Sequence, residues 1–244
     1  MKKTILTIAI AITATIAMAQ QTSGTIEYEI VMDIEKMMKF FMPERASDVN
    51  ALPSQWKMRK SKAELKFSET ATLYSPIEEE TSEPQWGPGS QNNNIFYCNN
   101  EKNKMCNVIE IMGKKYIIED SIPKLKWKVT NAMKEVAGHI CMSAVYNDTI
   151  MGREVTAWFA LDMPLPYGPE SFYGLPGMVL SIELYNGGQT YTAKKITMSN
   201  SQLKVDKPKY KKKSTVYSYA DYQQTVYNFV QQSKKRKGGM PMIF

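Results

Sequence analysis

The sequence predicts a mainly β (α+β) fold: a large curved antiparallel sheet or incomplete barrel, with a short helical insertion after the first strand and a C-terminal helix. Three observations carry this reading. Apolar and polar residues alternate with period two in about ten short segments, the links between them hold Asn, Asp and Gly, and helical spacing is confined to two places. Ten strands with short connections close into a large sheet or an open barrel.

Residues 1–19 read as a secretory signal. Lys2 and Lys3 form the positive end, residues 5–16 the apolar stretch, and Ala17-Met18-Ala19 a cleavage site before Gln20. The apolar stretch is interrupted by Thr7, Thr13 and Thr15 and falls short of the ~20 residues that cross a bilayer. The expectation is therefore an exported chain without a transmembrane segment, placed in the periplasm, associated with the outer membrane, or secreted. Residues 20–244 suffice for one domain. Loss of the two lysines leaves 29 basic against 24 acidic residues, with the excess concentrated at 207–213 and 234–237. Such runs read as solvated faces, and no nucleic-acid partner is expected.

The first strand spans 25–34, with Ile26, Tyr28, Ile30, Met32 and Ile34 on one face and Glu27, Glu29 and Asp33 on the other. Segments 35–42 and 47–59, separated by Pro43 and Pro53, form the helical insertion. The alternation returns at 62–67, and further strands are predicted at 95–98, 106–112, 115–119, 127–129, 138–146, 155–162, 178–185 and 190–198. Residues 75–94, rich in Glu, Pro, Gly and Asn, read as a long loop. The C-terminal helix covers about 218–237, where Tyr222, Val226, Tyr227, Phe229 and Val230 recur at helical spacing before Gly238-Gly239.

Cys98 and Cys106 flank a polar stretch. A hairpin centred on Lys102 sets them opposite each other at a separation that suits a disulfide; a slip of one residue would pair Cys98 with Met105 instead. Cys141 is then the spare thiol.

The densest local pattern lies at 166–180, where three prolines and three glycines precede a hydrophobic strand. Leu175-Pro176-Gly177-Met178 fits a type II turn, in which proline presets φ and glycine takes the positive φ. Tyr167, Phe172 and Tyr173 project from this connector and are candidate binding residues, together with Trp158.

Gly174-Leu175-Pro176-Gly177-Met178-Val179 resembles the signature of the GLPGLI family, with Met178-Val179 in place of Leu-Ile. Gly168-Pro169 and Phe172 stand at family-like spacing before it, and Ala157-Trp158-Phe159 resembles a strand of the same family. Tyr116-Ile117-Ile118-Glu119-Asp120, Trp127-Lys128 and Gly138-His139-Ile140-Cys141-Met142-Ser143-Ala144 extend the likeness, although His139 and Ser143 replace the usual tyrosine and lysine. The resemblance covers about 24–198. It implies an exported protein of the Gram-negative envelope and brings no catalytic residues with it.

Catalytic sets are sparse. His139 is the single histidine, and its pairing with Cys141 two residues along a strand sets the two side chains parallel, a poor geometry for a base and nucleophile. Glu78-Glu79-Glu80 and Glu119-Asp120 read as solvated carboxylates. Met37, Met38 and Met42, with Met240 and Met242, are candidate soft-metal ligands suited to Cu(I), although methionine also fills cores. The functional expectation is a non-enzymatic envelope binding or accessory protein without a cofactor, whose concave sheet holds a hydrophobic ligand, a peptide or an envelope protein. Copper binding and hydrolysis are the alternatives. Intact-mass measurement of the exported protein is expected to place its first residue at Gln20; an uncleaved chain would contradict the export reading.

Overall fold

A computed structural model describes residues 22–78, 93–111 and 113–235. The proposed signal segment, Met240 and Met242, Glu79 and Glu80, and the last residues of the expected helix lie outside the described residues. All described strands join one sheet: β1 (Gly24–Asp33), β2 (Met58–Phe67), β3 (Ala71–Pro76), β4 (Ile95–Asn99), β5 (Lys104–Ile111), β6 (Lys114–Asp120), β7 (Lys128–Val136), β8 (His139–Asp148), β9 (Arg153–Ala160), β10 (Met178–Leu184), β11 (Gln189–Met198) and β12 (Val216–Tyr217). Their order is β12-β6-β5-β4-β3-β2-β1-β11-β10-β9-β8-β7. Two meanders, β1–β6 and β7–β11, are thus sewn together by the antiparallel pairing of β1 with β11, and only β12 runs parallel to its neighbour β6.

This order forces curvature. β6 and β7 are ten strand positions apart, about 48 Å in a flat sheet. Residues 121–127 alone connect them, and from Asp120 to Lys128 an extended chain reaches at most about 29 Å. The sheet must roll toward its own edges without closing, which is the curved, open architecture the sequence predicted. The connector packs Ile122, Leu125 and Trp127 onto the core, and the Trp127 indole packs at a tilt against Tyr146 with ring centroids 5.6 Å apart.

The inner face follows from alternation along the strands. Ile26, Tyr28 and Met32 of β1 and Ala63, Leu65 and Phe67 of β2 are all buried. Among the described residues three helices complete the fold. Asp33 caps α1 (Ile34–Phe41) by accepting the Lys36 N–H at 3.1 Å, and a 3-10 segment (Pro43–Ala51) and α2 (Ser54–Lys57) follow. α3 (Tyr219–Lys235) is capped by Ser218, whose hydroxyl accepts the Asp221 N–H at 3.1 Å and donates to the Asp221 carboxylate at 2.7 Å. It lays Tyr219, Tyr222, Val226, Phe229 and Val230 against the core.

Three sequence expectations change. β3 and β12 were not foreseen, because β3 lacks contrast between its faces and β12 is only two residues long. The strand expected at 127–129 runs on to Val136; it is an edge strand with a register shift between Val129 and Met133, which breaks its alternation. The Cys98–Cys106 disulfide is also corrected: Cys98 pairs with Met105 and Cys106 with Tyr97, and both cysteines are free thiols. The loop between β4 and β5 has four residues, so its centre falls between Glu101 and Lys102. Asn99 accepts the Lys102 N–H at 2.8 Å, and Asn103 takes φ 49°. One residue of slip sends the two thiols to opposite faces. Thiol titration in denaturant without reductant is expected to count three thiols per chain; a count of one would restore the disulfide.

Candidate functional site

The connector between β9 and β10 is built by close backbone approach. Its first part, 163–167, folds beside the start of β10: Met178 N–H donates to Met163 O at 2.9 Å and Val179 N–H to Tyr167 O at 2.8 Å. Gly168 and Gly177 sit where no side chain fits. A Cβ at Gly168 would lie 2.2 Å from Phe172 O, and one at Gly177 would lie 2.1 Å from Ala160 O. The type II turn is corrected accordingly: the positive φ belongs to Gly174 at 94°, and Gly177 is demanded by contact with the end of β9. Pro176 is exposed, Leu175 is buried beneath the loop, and Met178 and Val179 are fully buried in β10.

The aromatic candidates divide. Tyr167 is buried and donates to Glu69 O at 3.0 Å, while Tyr173 is buried against Met105, its hydroxyl 3.5 Å from the sulfur and its carbonyl accepting the Trp127 indole N–H at 3.1 Å. Both hold the loop to the sheet. Trp158 lies on the other face of β9 from Arg153, where it donates to Glu183 at 3.0 Å beneath Lys134. Phe172 lines a cavity.

That cavity, about 160 Å³, lies inside the roll. Its apolar walls include Phe96, Ile109, Phe172 and Val226, with Tyr146, Tyr219 and Tyr222 among them. Its polar side holds two hydrogen-bonded groups, the first centred on Arg153. Nε donates to Asp148 Oδ2 at 3.2 Å and Nη1 to the Tyr185 hydroxyl at 2.6 Å. Asp148 Oδ1 also accepts the Ile150 and Met151 N–H groups at 3.2 and 3.1 Å, fixing the β8–β9 turn. The Tyr185 and Phe172 rings flank the guanidinium, 5.0 and 6.0 Å from it. Opposite, the Tyr191 hydroxyl donates to Glu170 Oε1 at 2.6 Å and accepts from Gln189 Nε2 at 2.9 Å.

One member of each group sits in strained backbone. Glu170 and Tyr185 take φ of 52° and 54°, in the left-handed region that costs a residue with a Cβ roughly 1–2 kcal/mol. Tyr185 is held there by α1, whose Phe40 and Phe41 rings pack on it at 5.3 and 5.0 Å. Glu170 follows Pro169 in a turn closed by Phe172 N–H to Pro169 O at 3.1 Å.

The electrostatics are those of a desolvated site. Burial pushes the Glu170 carboxyl above its ordinary 4.5, against the Tyr191 hydrogen bond and the Arg153 charge, which favour ionisation. Burial also opposes the Arg153 charge, yet Tyr185, Asp148, Tyr191 and Glu170 raise its pKa overall, so the guanidinium stays charged. Tyr191 is held well above 10 by burial and by Glu170, which keeps it a donor.

The remaining sequence candidates are not gathered into a site. His139 Nδ1 lies 2.7 Å from Asp162 at the surface, and the Cys141 thiol meets the His139 carbonyl at 3.6 Å rather than its ring. Burial pushes that thiol up to about 11, away from nucleophilic use. Met37 faces the main core, whereas Met38 and Met42 join Val49 in a separate cluster. Among the described residues no group of three or more His, Cys, Asp or Glu is placed to hold a metal ion.

Sequence reasoning missed Arg153, Asp148, Glu170, Tyr185, Gln189 and Tyr191. A signal existed for the first two. Arg153 is in phase with Val155, Ala157 and Phe159, and Asp148 with Ala144 and Tyr146, so each places a charge on the inward face of its strand.

Fold and site together define a rolled, open, mostly antiparallel-sheet protein with a partly open cavity that has aromatic walls and one charged side. Residues 148–181, the segment that supplies Asp148, Arg153, Glu170 and Phe172, match a family model described as a protein of unknown function (Porph_ging). No curated protein matches the chain. The fold is similar to two structures of PNGF-II, in space groups P21 and C2, with TM-scores of 0.53 and 0.50 at 13% and 12% identity, each covering 84% of this chain. The chain spans about a third of the length of PNGF-II, 33% and 32% in the two structures, and at this identity the likeness is one of fold.

Two measurements check the site's construction. Gly177→Ala is expected to cost about 2–3 kcal/mol in urea unfolding through forced overpacking, and Gly174→Ala, with open space but positive φ, about 1 kcal/mol; equal costs would contradict the contact. A raised carboxyl pKa stabilises the fold below the unfolded value near 4.5, and that contribution is lost as pH rises through the folded value. Glu170→Gln should therefore gain stability relative to wild type between pH 4.5 and 7; parallel stability curves would place Glu170 in a solvated setting.

Proposed function

We propose that this is an exported, non-enzymatic binding protein of the cell envelope, of GLPGLI type, whose ligand seats in the cavity of the rolled sheet. The observation that carries the binding reading is the strained pair, Glu170 and Tyr185. A core built for stability alone fills such a space with apolar side chains in relaxed backbone. Here left-handed Glu170 lines the cavity, left-handed Tyr185 holds the cavity's Arg153 through its hydroxyl from behind the lining, and strain kept at a cavity points to a site.

Size limits the ligand. A cavity of ~150 Å³ admits benzene, so a volume near 160 Å³ suits a single ring or one side chain of a peptide. The aromatic walls suit an apolar body, and the Arg153–Asp148–Glu170 side suits one polar group. Export is supported by the pattern of residues 1–20 and by the resemblance of Gly174-Leu175-Pro176-Gly177-Met178-Val179 to the GLPGLI signature. Among the described residues no helix is long and apolar enough to cross a membrane.

Phenol titration followed by proton NMR tests the cavity. Saturable shifts are expected in the wild type and their loss in Gln223→Trp, which places an indole among the lining residues of α3. Circular dichroism of the variant establishes that it is folded. Unchanged phenol shifts in the folded variant would contradict this site.

A further inference from the structure

The charge of the cavity narrows the ligand class, given the binding reading above. Among its lining residues Arg153 is the one cation, and Asp148 and Glu170 are the two carboxylates. Asp148 is matched: it accepts Arg153 Nε and two backbone N–H groups. Glu170 accepts from Tyr191, a neutral donor, and meets Arg153 only through its field. The site therefore holds one carboxylate more than its cation balances, in a space whose other walls are rings.

We propose that the cavity takes a small organic cation, with its ammonium group on Glu170 and its apolar body against Phe172, Tyr146 and Tyr222. An anion would meet Glu170 and Asp148 together. A neutral ligand would leave the carboxylate without an opposite charge of its own to offset its desolvation, since its present partner Tyr191 is a neutral donor. Ring faces attract cations through their quadrupole, so the aromatic walls favour the same class. The titratable and charged groups around Glu170 are Arg153 on β9, Asp148 on β8, Tyr191 on β11, Tyr74 on β3, Tyr185, and Tyr222 on α3. Burial raises the pKa of each of these four tyrosines, so they remain neutral donors.

Calorimetry with three probes of one shape, benzylamine, benzyl alcohol and benzoate, decides the matter on the full chain. Benzylamine is expected to bind at least about tenfold tighter than benzyl alcohol, as one charge-assisted hydrogen bond implies, with benzoate weakest. Glu170→Gln should remove the preference of the amine over the alcohol. Acidification below the Glu170 pKa should weaken benzylamine in the wild type, because the amine stays charged while its partner becomes neutral. Equal binding of amine and alcohol, or preference for benzoate, would overturn the cation assignment and leave the cavity reading standing. Failure of all three probes would overturn the cavity reading itself.

Discussion

The constraint on which the rest depends is the seven-residue link between β6 and β7. Two meanders joined only at β1 and β11 would otherwise lie as a wide twisted sheet, with its inner face open to water. Because residues 121–127 must reach from one wing to the far edge of the other, the wings roll toward each other, and the link packs Leu125 and Trp127 into the gap. The enclosed face then needs a cover at its open side. The C-terminal helix supplies it, with Tyr219 N–H bonded to Asp120 at the very start of the link. Curvature, cover and cavity are consequences of one short connection.

Within the roll, strain and burial converge on Arg153. The charge stays inside because Asp148, Tyr185 and the rings of Tyr185 and Phe172 surround it, and each is held by a different element: the β8–β9 turn, α1 with the β10–β11 loop, and the Gly/Pro connector. This explains why the connector is rich in glycine. Gly168 and Gly177 let its backbone lie directly on Val179 and Ala160, and that close seating aims Glu170 and Phe172 into the cavity. The helical insertion has a comparable role at a distance, since Phe40 and Phe41 press on the ring whose hydroxyl meets Arg153.

The fold was legible where side chains alternate cleanly. β1, β2, β8 and β11 and the C-terminal helix stand close to where period two and period 3.6 put them, because one face of each is buried and the other is wet. β3 and β7 were obscured for opposite reasons: β3 is shielded on both faces, and β7 is exposed along most of its length with a shifted register. The cysteine pairing failed on a single residue of hairpin register, which depends on the Asn99 cap and the Asn103 backbone rather than on hydrophobic pattern. The Gly/Pro segment was recognised as a rigid connector, yet the reason for Gly177 was steric contact with a strand that only the fold brings near. The site was least legible. Tyr167 and Tyr173 look like ligand contacts in sequence but are spent on holding the loop, whereas Arg153 and Asp148 declare themselves only when their parity with the inward face is noticed.

The central claim is that Glu170 is a desolvated carboxyl facing an aromatic cavity with no dedicated cation of its own. Carbon-13 NMR of the glutamate side-chain carboxyls, with Glu170 assigned by comparison with Glu170→Gln, measures this directly. The account predicts a titration midpoint above 4.5 that falls when benzylamine is added. A midpoint at or below 4.5, unmoved by the amine, would contradict it.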